Sequence, residues 1–288
     1  MVGMLGSGLK RNMEPDSHRT YRGPVKAVIL DWAGTTLDYG CLAPAVAFIE
    51  VFHRHGVDIS MAEARGPMGT HKKVHIRSIA QNPTVAARWR DAHARDCTEE
   101  DVDTLFREFV PLQMDCLADH AELIPGTLEA VATFRDRGLK IGSTTGYTGE
   151  MMELLQAEAE KQGYEPDSTV CATDVPAGRP EPWMCLRNAE NLQIYPMEAL
   201  VKIGDTLPDI EEGLNAGMWT IGLAKTGNEM GQNEQEINAL PPEELEARLS
   251  HARKRMAEAG AHYVVDGIWE CDPHIDDIDV RLDRGEKP

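Results

Sequence analysis

Apolar residues fall in short runs along the chain, and the runs recur at regular spacing. Segments 25–30, 139–142, 169–172, 200–203 and 219–223 are each of strand length and end in small or acidic residues. Between most of them, at 126–136, 148–161, 180–191 and 208–216, the apolar positions repeat with the period of a helix that buries one face. Alternation of this kind predicts an α/β fold, a Rossmann-like parallel sheet covered on both faces. In such sheets reactive groups gather just past the carboxyl ends of the strands.

The alternation breaks once. Between Leu30 and Leu139 there is no comparable strand, and helical patterns at 44–54, 61–67, 72–81, 84–91 and 99–117 fill most of the gap. The stretch is too long for a loop and carries apolar faces of its own, which predicts a helical domain inserted after strand one and seated over the strand ends as a lid. The expected division is a lead-in at 1–22, an α/β core from 23–40 and 120–288, and a cap at 41–119. Segment 241–259 reads as one charged amphipathic helix, 263–265 as an edge strand, and the rest as an acidic tail. Residues 1–22 show no periodicity. Gly6 and Gly8 resemble a fragment of a dinucleotide loop, but no strand precedes them.

Charge and composition narrow the function. Asp plus Glu number 48 against 29 Lys plus Arg, a net charge of −19. That balance opposes nucleic-acid binding, which needs clustered cations, and docking on anionic membranes. No apolar run approaches the roughly 18 residues of a membrane span, and the start lacks the apolar stretch of a signal peptide. Six cysteines lie scattered without a CxxC, which excludes zinc ribbons and disulfide scaffolds. A soluble cytoplasmic enzyme acting on a small molecule is the expectation.

Three strand ends and an arginine between them carry candidate chemistry. Strand one exits as Asp31-Trp32-Ala33-Gly34-Thr35-Thr36, and strand two as Ser143-Thr144-Thr145-Gly146, where hydroxyls and a glycine suit an anion. Arg179 opens the segment before the next helix, and strand four ends in Gly204-Asp205 with Asp209 four residues on. Each signal has an ordinary alternative: caps for the Asp, Ser and Thr residues, solvent exposure for Arg179. Two acids at one strand end also suit a hard cation.

In this chain order the set resembles the haloacid dehalogenase superfamily of phosphohydrolases, over roughly residues 23–270. The resemblance implies that Asp31 attacks phosphorus to give an aspartyl phosphate, that Thr145 and Arg179 hold phosphoryl oxygens, and that Asp205 binds magnesium. One position departs from the phosphatases of the superfamily. They carry a second Asp two residues after the nucleophile to protonate the leaving alkoxide, and here that residue is Ala33. An ester hydrolase would lose ~10²–10⁴-fold with its general acid.

The inserted domain offers a reason. It contains Pro67-Met68-Gly69-Thr70-His71-Lys72, and a lysine aimed from a lid at a phosphoryl site can form an imine with a carbonyl substrate. A lysine at a helix start is more commonly solvated. A protonated imine is an electron sink, as cleavage of a carbon–phosphorus bond requires, and that cleavage leaves no oxygen for an acid at position 33 to protonate. The strings DWAGTTLDYG (31–40), PMGTHK (67–72), GSTTGYT (142–148), DVPAGRPEPWMC (174–185) and GDTLPD (204–209) are similar to the pattern of the phosphonatase family.

That resemblance implies hydrolysis of phosphonoacetaldehyde in 2-aminoethylphosphonate breakdown, with Asp31 as nucleophile and Lys72 as Schiff-base lysine. It implies magnesium held by Asp31, the Ala33 carbonyl and Asp205, with Asp209 behind them. His75 would shuttle protons near the imine, unless it is an exposed helix histidine. Met68 would pack by the lysine, and Cys41 and Tyr147 would line the site, although core packing explains these three equally well. Gly146 would adjoin the phosphoryl group. Lys73 and a protonated His75 are expected to help depress the Lys72 pKa by like charge. A homodimer joined through the caps is implied as well. Alternative identities are a sugar-phosphate phosphatase or mutase, against which Ala33 stands, a metal-free dehalogenase, and an inactive binding protein that keeps the fold.

Overall fold

The structure, a computed structural model, describes residues 20–288. Six parallel strands form one sheet in the order β3-β2-β1-β4-β5-β6. They are β1 (Ala27–Leu30), β2 (Lys140–Thr145), β3 (Ser168–Cys171), β4 (Leu200–Gly204), β5 (Trp219–Leu223) and β6 (Tyr263–Val265). β1 is wholly buried at the centre, and its last residue Leu30 pairs with Ser143 on one side and Ile203 on the other. β2 and β3 lie on one side of β1 and β4, β5 and β6 on the other, so the strand order reverses between β1 and β4. This is the topological switch point at which open α/β sheets bind ligands.

Five helices lie between β1 and the rest of the core: α1 (Leu42–Arg54), α2 (Met61–Arg65), α3 (Lys72–Gln81), α4 (Pro83–His93) and α5 (Glu99–Leu117). Capping boxes start α2 at Ser60/Glu63 and α5 at Thr98/Asp101. Their apolar faces pack together, with Phe48 of α1 stacked 4.4 Å from Phe109 of α5 and Trp89 of α4 buried beside Phe52. The outgoing and returning linkers are paired: Asp38 N donates to Glu122 O at 3.1 Å and Ile124 N to Thr36 O at 2.9 Å.

The core continues through α6 (Thr127–Asp136), α7 (Gly149–Lys161), α8 (Trp183–Leu192), α9 (Leu207–Asn215), α10 (Glu234–Ala239), α11 (Pro242–Glu258) and α12 (Asp272–Asp283). Several expectations need correction. β2 runs on through Thr145, because its β-branched hydroxyl residues are buried in the sheet and act as strand formers. α8 begins at Trp183, since Pro180 and Pro182 occupy the preceding turn. The acidic tail contains α12, which buries Ile275, Ile278 and Leu282 on one face while Asp272, Asp276 and Asp279 pair with Arg137. At the start of the described chain Tyr21 packs against the core and Arg22 donates to Asp283 O at 2.9 Å, so residues 20–22 are part of the core packing. The remainder of the expected lead-in, Gly6 and Gly8 included, lies outside the described residues. Among the described residues no helix is long and apolar enough to cross a membrane.

Candidate active site

The register of the sheet brings three strand exits together. Asp31 follows β1, is 5% exposed, and its N–H donates to Ile203 O at 3.0 Å. The chain then folds back on itself, with the N–H groups of Thr35, Thr36 and Leu37 all donating to Trp32 O. Gly34 takes φ +86° in this turn, and a Cβ there would collide with the Asp205 carboxylate. Asp205 follows β4 and is fully buried; Thr35 Oγ1 donates to its Oδ1 at 3.3 Å and Asn228 N to its Oδ2 at 2.8 Å.

Carboxylate oxygens of Asp31, Asp205 and Asp209 lie within 4.8 Å of one another. Asp209 has both oxygens engaged. Lys202 Nζ donates to Oδ1 at 2.6 Å, Arg179 lies 3.1 Å from the same atom, and Thr206 donates to Oδ2 within a capping box that opens α9. Here the capping alternative holds, and Asp209 acts as a support. Burial opposes ionisation of Asp209, but Arg179 and Lys202 outweigh it and hold its carboxyl low. Asp205 is pushed well above the usual range, by burial first and then by Asp31 and Asp209. Asp31 is also raised by burial, despite Arg179 beside it. The carboxylates are crowded and buried, and Asp205 pairs with no cation among the described residues, which suits a hard divalent cation with oxygen ligands. The residues present therefore fit magnesium.

Arg179 is buried and fully used by the protein. Nη2 donates to Asp31 Oδ1 at 2.6 Å, Thr144 O at 2.9 Å and Thr144 Oγ1 at 2.7 Å, and Nε donates to Glu212 Oε2 at 2.9 Å. Nη1 donates to Gly69 O at 3.3 Å, a bond from core to cap. Sequence reasoning missed Thr144, Lys202 and Glu212. A charged residue inside a buried strand run, Lys202 in LVKIG, was the available signal. Thr145 Oγ1 accepts from Tyr147 N at 3.1 Å, so its hydroxyl serves the turn as well as the cavity.

The cap contributes the loop before α3. Lys72 is the first residue of that helix, following His71, whose Nδ1 accepts from Lys73 N. Lys72 is only 4% exposed, which overturns the solvated alternative. Its Nζ stands 4.4 Å from the centroid of the Tyr147 ring and 5.9 Å from that of Phe48. It forms no hydrogen bond or ion pair with any described residue. Its pKa falls to about 8 through burial, against the opposing pull of Asp31.

The expected help from Lys73 and His75 does not materialise. Lys73 pairs with Asp103 on the half-exposed side of the helix. His75 is buried, not exposed; its Nε2 is 2.7 Å from Ala64 O, a pure acceptor, so the proton belongs on Nε2. Its Nδ1 has no partner, Phe48 stacks on it at 3.8 Å, and burial drives its pKa down to about 3. It is neutral at ordinary pH.

A narrow cavity of about 20 Å³ gathers Asp31, Ala33, Cys41, Met68, Lys72, Thr145, Gly146, Tyr147 and Arg179, together with Pro44, Gly69 and Thr206. Asp205 and Asp209 are not among its lining residues, and neither is His75, one turn along α3 from Lys72. Burial pushes the Cys41 thiol and the Tyr147 hydroxyl well above their ordinary values, so both are neutral. The cap meets the core through backbone. A Cβ on Gly69 would strike Thr206 Oγ1, and one on Gly146 would meet Thr70 O at 2.5 Å.

A buried carboxylate at the end of the central strand, an acid pair beside it and a helical cap closing over them define a class. The chain belongs to the haloacid dehalogenase-like hydrolases, whose family model matches residues 25–217. It is 54% identical over 271 residues to a phosphonoacetaldehyde hydrolase of Syntrophobacter fumaroxidans, covering 94% of this chain and 98% of that protein. It is 51% identical to a phosphonoacetaldehyde hydrolase of Nitratidesulfovibrio vulgaris, covering 94% and 96%. A crystal structure of a phosphonoacetaldehyde hydrolase-like protein from Oleispira antarctica superposes with a TM-score of 0.92 at 43% identity, over 99% of this chain and all of that one. By these relatives it is a member of the phosphonoacetaldehyde hydrolase family.

Proposed function

We propose that this enzyme hydrolyses the carbon–phosphorus bond of phosphonoacetaldehyde to acetaldehyde and phosphate, in phosphonate degradation, through an imine on Lys72 and an aspartyl phosphate on Asp31. The observation that carries the mechanism is the unpaired, buried Lys72 amine in the same cavity as Asp31, with Ala33 where an ester phosphatase has its acid.

The free amine of Lys72 adds to the aldehyde and loses water, giving an imine that is protonated on nitrogen. Asp31, which lines the same cavity, attacks phosphorus. The electron pair of the breaking C–P bond moves into the iminium, leaving an enamine on Lys72 and the phosphoryl group on Asp31. A proton reaches the enamine carbon, and water then releases acetaldehyde and restores the lysine. A second water hydrolyses the aspartyl phosphate. His75 lies outside the cavity lining and burial holds its pKa at about 3, which makes it a poor proton acceptor; its bond to Ala64 O instead ties α3, and with it Lys72, to α2.

Magnesium, when bound by Asp31, the Ala33 carbonyl and Asp205, supplies positive charge against the phosphonate dianion. Arg179 adds a fixed cation at Asp31, already oriented by Glu212 and Thr144, so no reorganisation is needed as charge develops. Thr145 and Gly146 border the phosphoryl end, and Met68, Cys41 and Tyr147 keep water from the lysine. We infer in addition a cytoplasmic homodimer joined through the caps. Six free cysteines and the exposed cap residues Val46 and Val74 support that arrangement.

The test is magnesium-dependent phosphate release from phosphonoacetaldehyde, run alongside borohydride trapping. Turnover should place a covalent adduct on Lys72, and Lys72→Arg should abolish turnover with the fold intact. An adduct on Lys73, or near-normal activity in Lys72→Arg, overturns the mechanism.

A further inference from the structure

The segment after β5, residues 226–231, contacts the turn after β1, the exit to the cap, Asp205 and the end of α2, and has no role in the chemistry above. Thr226 Oγ1 donates to Gly34 O in the nucleophile turn at 2.7 Å, and Gly40 N donates to Thr226 O at 2.7 Å where the chain leaves for the cap. Asn228 N donates to Asp205 Oδ2 at 2.8 Å. From the cap, Arg65 at the end of α2 reaches the same segment. Its Nη1 donates to Gly40 O at 2.9 Å and to Asn228 Oδ1 at 3.2 Å, and its Nη2 to Gly231 O at 3.1 Å. Asn228 Nδ2 donates back to Arg65 O at 3.5 Å.

Two features set this contact apart from ordinary packing. Arg65 is 8% exposed yet pairs with no carboxylate among the described residues, and its Nε is buried without a partner. A buried cation held only by neutral oxygens is a poor way to gain stability. The Asn228 side chain, in turn, has Arg65 as its one hydrogen-bonding partner among the described residues. If the cap lifts, Arg65 withdraws, the side chain is released, and the backbone N–H that fixes Asp205 Oδ2 loses its anchor. The same Arg65 opens the loop that carries Met68, Gly69 and Lys72 to the cavity.

We propose that Arg65 is a positioning residue that, through Asn228, couples the seating of the cap over Lys72 to the placement of the Asp205 carboxylate. The inference rests on the reading above in that Asp205 is taken as a cation ligand and Lys72 as a cap-borne reactive group. Coupling of this kind is reciprocal: a cation at Asp205 tightens the cap, and a seated cap tightens the cation.

The experiment uses the full chain and magnesium chloride as probe, with magnesium affinity read by calorimetry and hydrogen exchange followed at amides 66–72. In the unaltered protein magnesium should slow exchange across that loop. Arg65→Met keeps the stem and removes the donors; Asn228→Ala removes the acceptor and leaves the Gly40 and Gly231 contacts of Arg65 in place. Each should weaken magnesium about tenfold and erase its effect on the loop. The double variant should be no weaker than either single one, since both break the same link. Arg65→Lys should recover part of the loss. If Arg65→Met does not fold, Asn228→Ala carries the test alone. Unchanged magnesium affinity in folded variants, or losses that add in the double variant, overturns the proposal. Borohydride trapping on the unaltered protein reports separately on Lys72. A missing adduct with the coupling intact strikes the reaction, and an adduct without coupling strikes only the role of Arg65.

Discussion

Arg179 and Asp31 meet at 2.6 Å with both side chains almost wholly withdrawn from water, and Glu212 holds the same guanidinium from behind at 2.9 Å. Asp31 is thus paired with a cation before any substrate arrives. Removing that cation would strand Asp31, Asp209 and Glu212 with Lys202 alone. Arg179→Met is expected to cost roughly 3–5 kcal/mol at pH 7, the range for breaking a buried pair, measured by denaturant unfolding. The deficit should shrink in acid as the stranded carboxylates take up protons. A loss under about 1 kcal/mol, the size of an exposed pair, would contradict this account.

Lys72 makes catalysis and stability pull in opposite directions. Its pKa is about 8 in the folded protein and ~10.4 in an unfolded chain, so the folded state binds fewer protons between these values. Folding then carries a penalty that is complete below pH 8 and fades as pH rises towards ~10.4. Lys72→Met should stabilise the protein at pH 7 by up to roughly 3 kcal/mol, less the ~1 kcal/mol of its contact with Tyr147. The gain should dwindle above pH 8, as urea titrations at several pH values would reveal. Adduct formation under borohydride should rise about tenfold per pH unit and level off near pH 8.

Magnesium should raise the melting temperature of the unaltered protein, because a ligand at one hundred times its Kd adds about 2.7 kcal/mol. In Asp205→Asn that increment should vanish together with phosphate release. The metal-free variant should melt above the metal-free parent, since burial and like charge already disfavour the Asp205 carboxylate. Full activity in chelator-treated protein would rule out this cation site.

Ala33 lines the cavity beside Asp31. Ala33→Asp should not speed phosphonoacetaldehyde cleavage, because no leaving oxygen awaits a proton. A third carboxylate would instead crowd Asp31 and Asp205 and lower the rate. A large gain in phosphate release from the phosphonate would refute the argument.

His75 predicts a slope in acid stability. Its folded pKa is about 3 and its unfolded value ~6.5, so below pH 6.5 the unfolded chain takes a proton that the folded one refuses. Stability should fall by ~1.4 kcal/mol per unit through this window. In His75→Asn that component of the slope should be missing. Unchanged pH dependence between pH 6.5 and 4.5 would mean that the imidazole ionises in place.

The strand exits were legible because chemistry and topology coincide there: Asp31 and Asp205 directly follow apolar runs, and the parallel order brings them together. The inserted helices were legible from their period. Thr144 was harder, since a buried threonine in a strand resembles any other β-branched residue until Arg179 is seen to use its hydroxyl and carbonyl. Glu212 lay in a helix whose polar positions look solvated, and only packing against β2 and β4 buries it. Lys73 misled because it adjoins Lys72 in sequence. A helix turns consecutive residues about 100° apart, so one faces the cavity and the other Asp103. α12 was hidden by its own aspartates, which mask an apolar face of three residues.

The contact of the Gly69–Thr70 backbone with Thr206 and Gly146 has a consequence for substrate range. Where Gly146 meets Gly69 and Thr70 the wall of the chamber is main chain, and main chain cannot be trimmed by substitution or swung aside by a change of rotamer. Engineering the enzyme for bulkier α-substituted phosphonates by shaving side chains would therefore enlarge only the face formed by Met68, Cys41 and Tyr147. Greater girth would have to come from altering the length of the loop between α2 and α3, and selection for new substrates should accumulate insertions there.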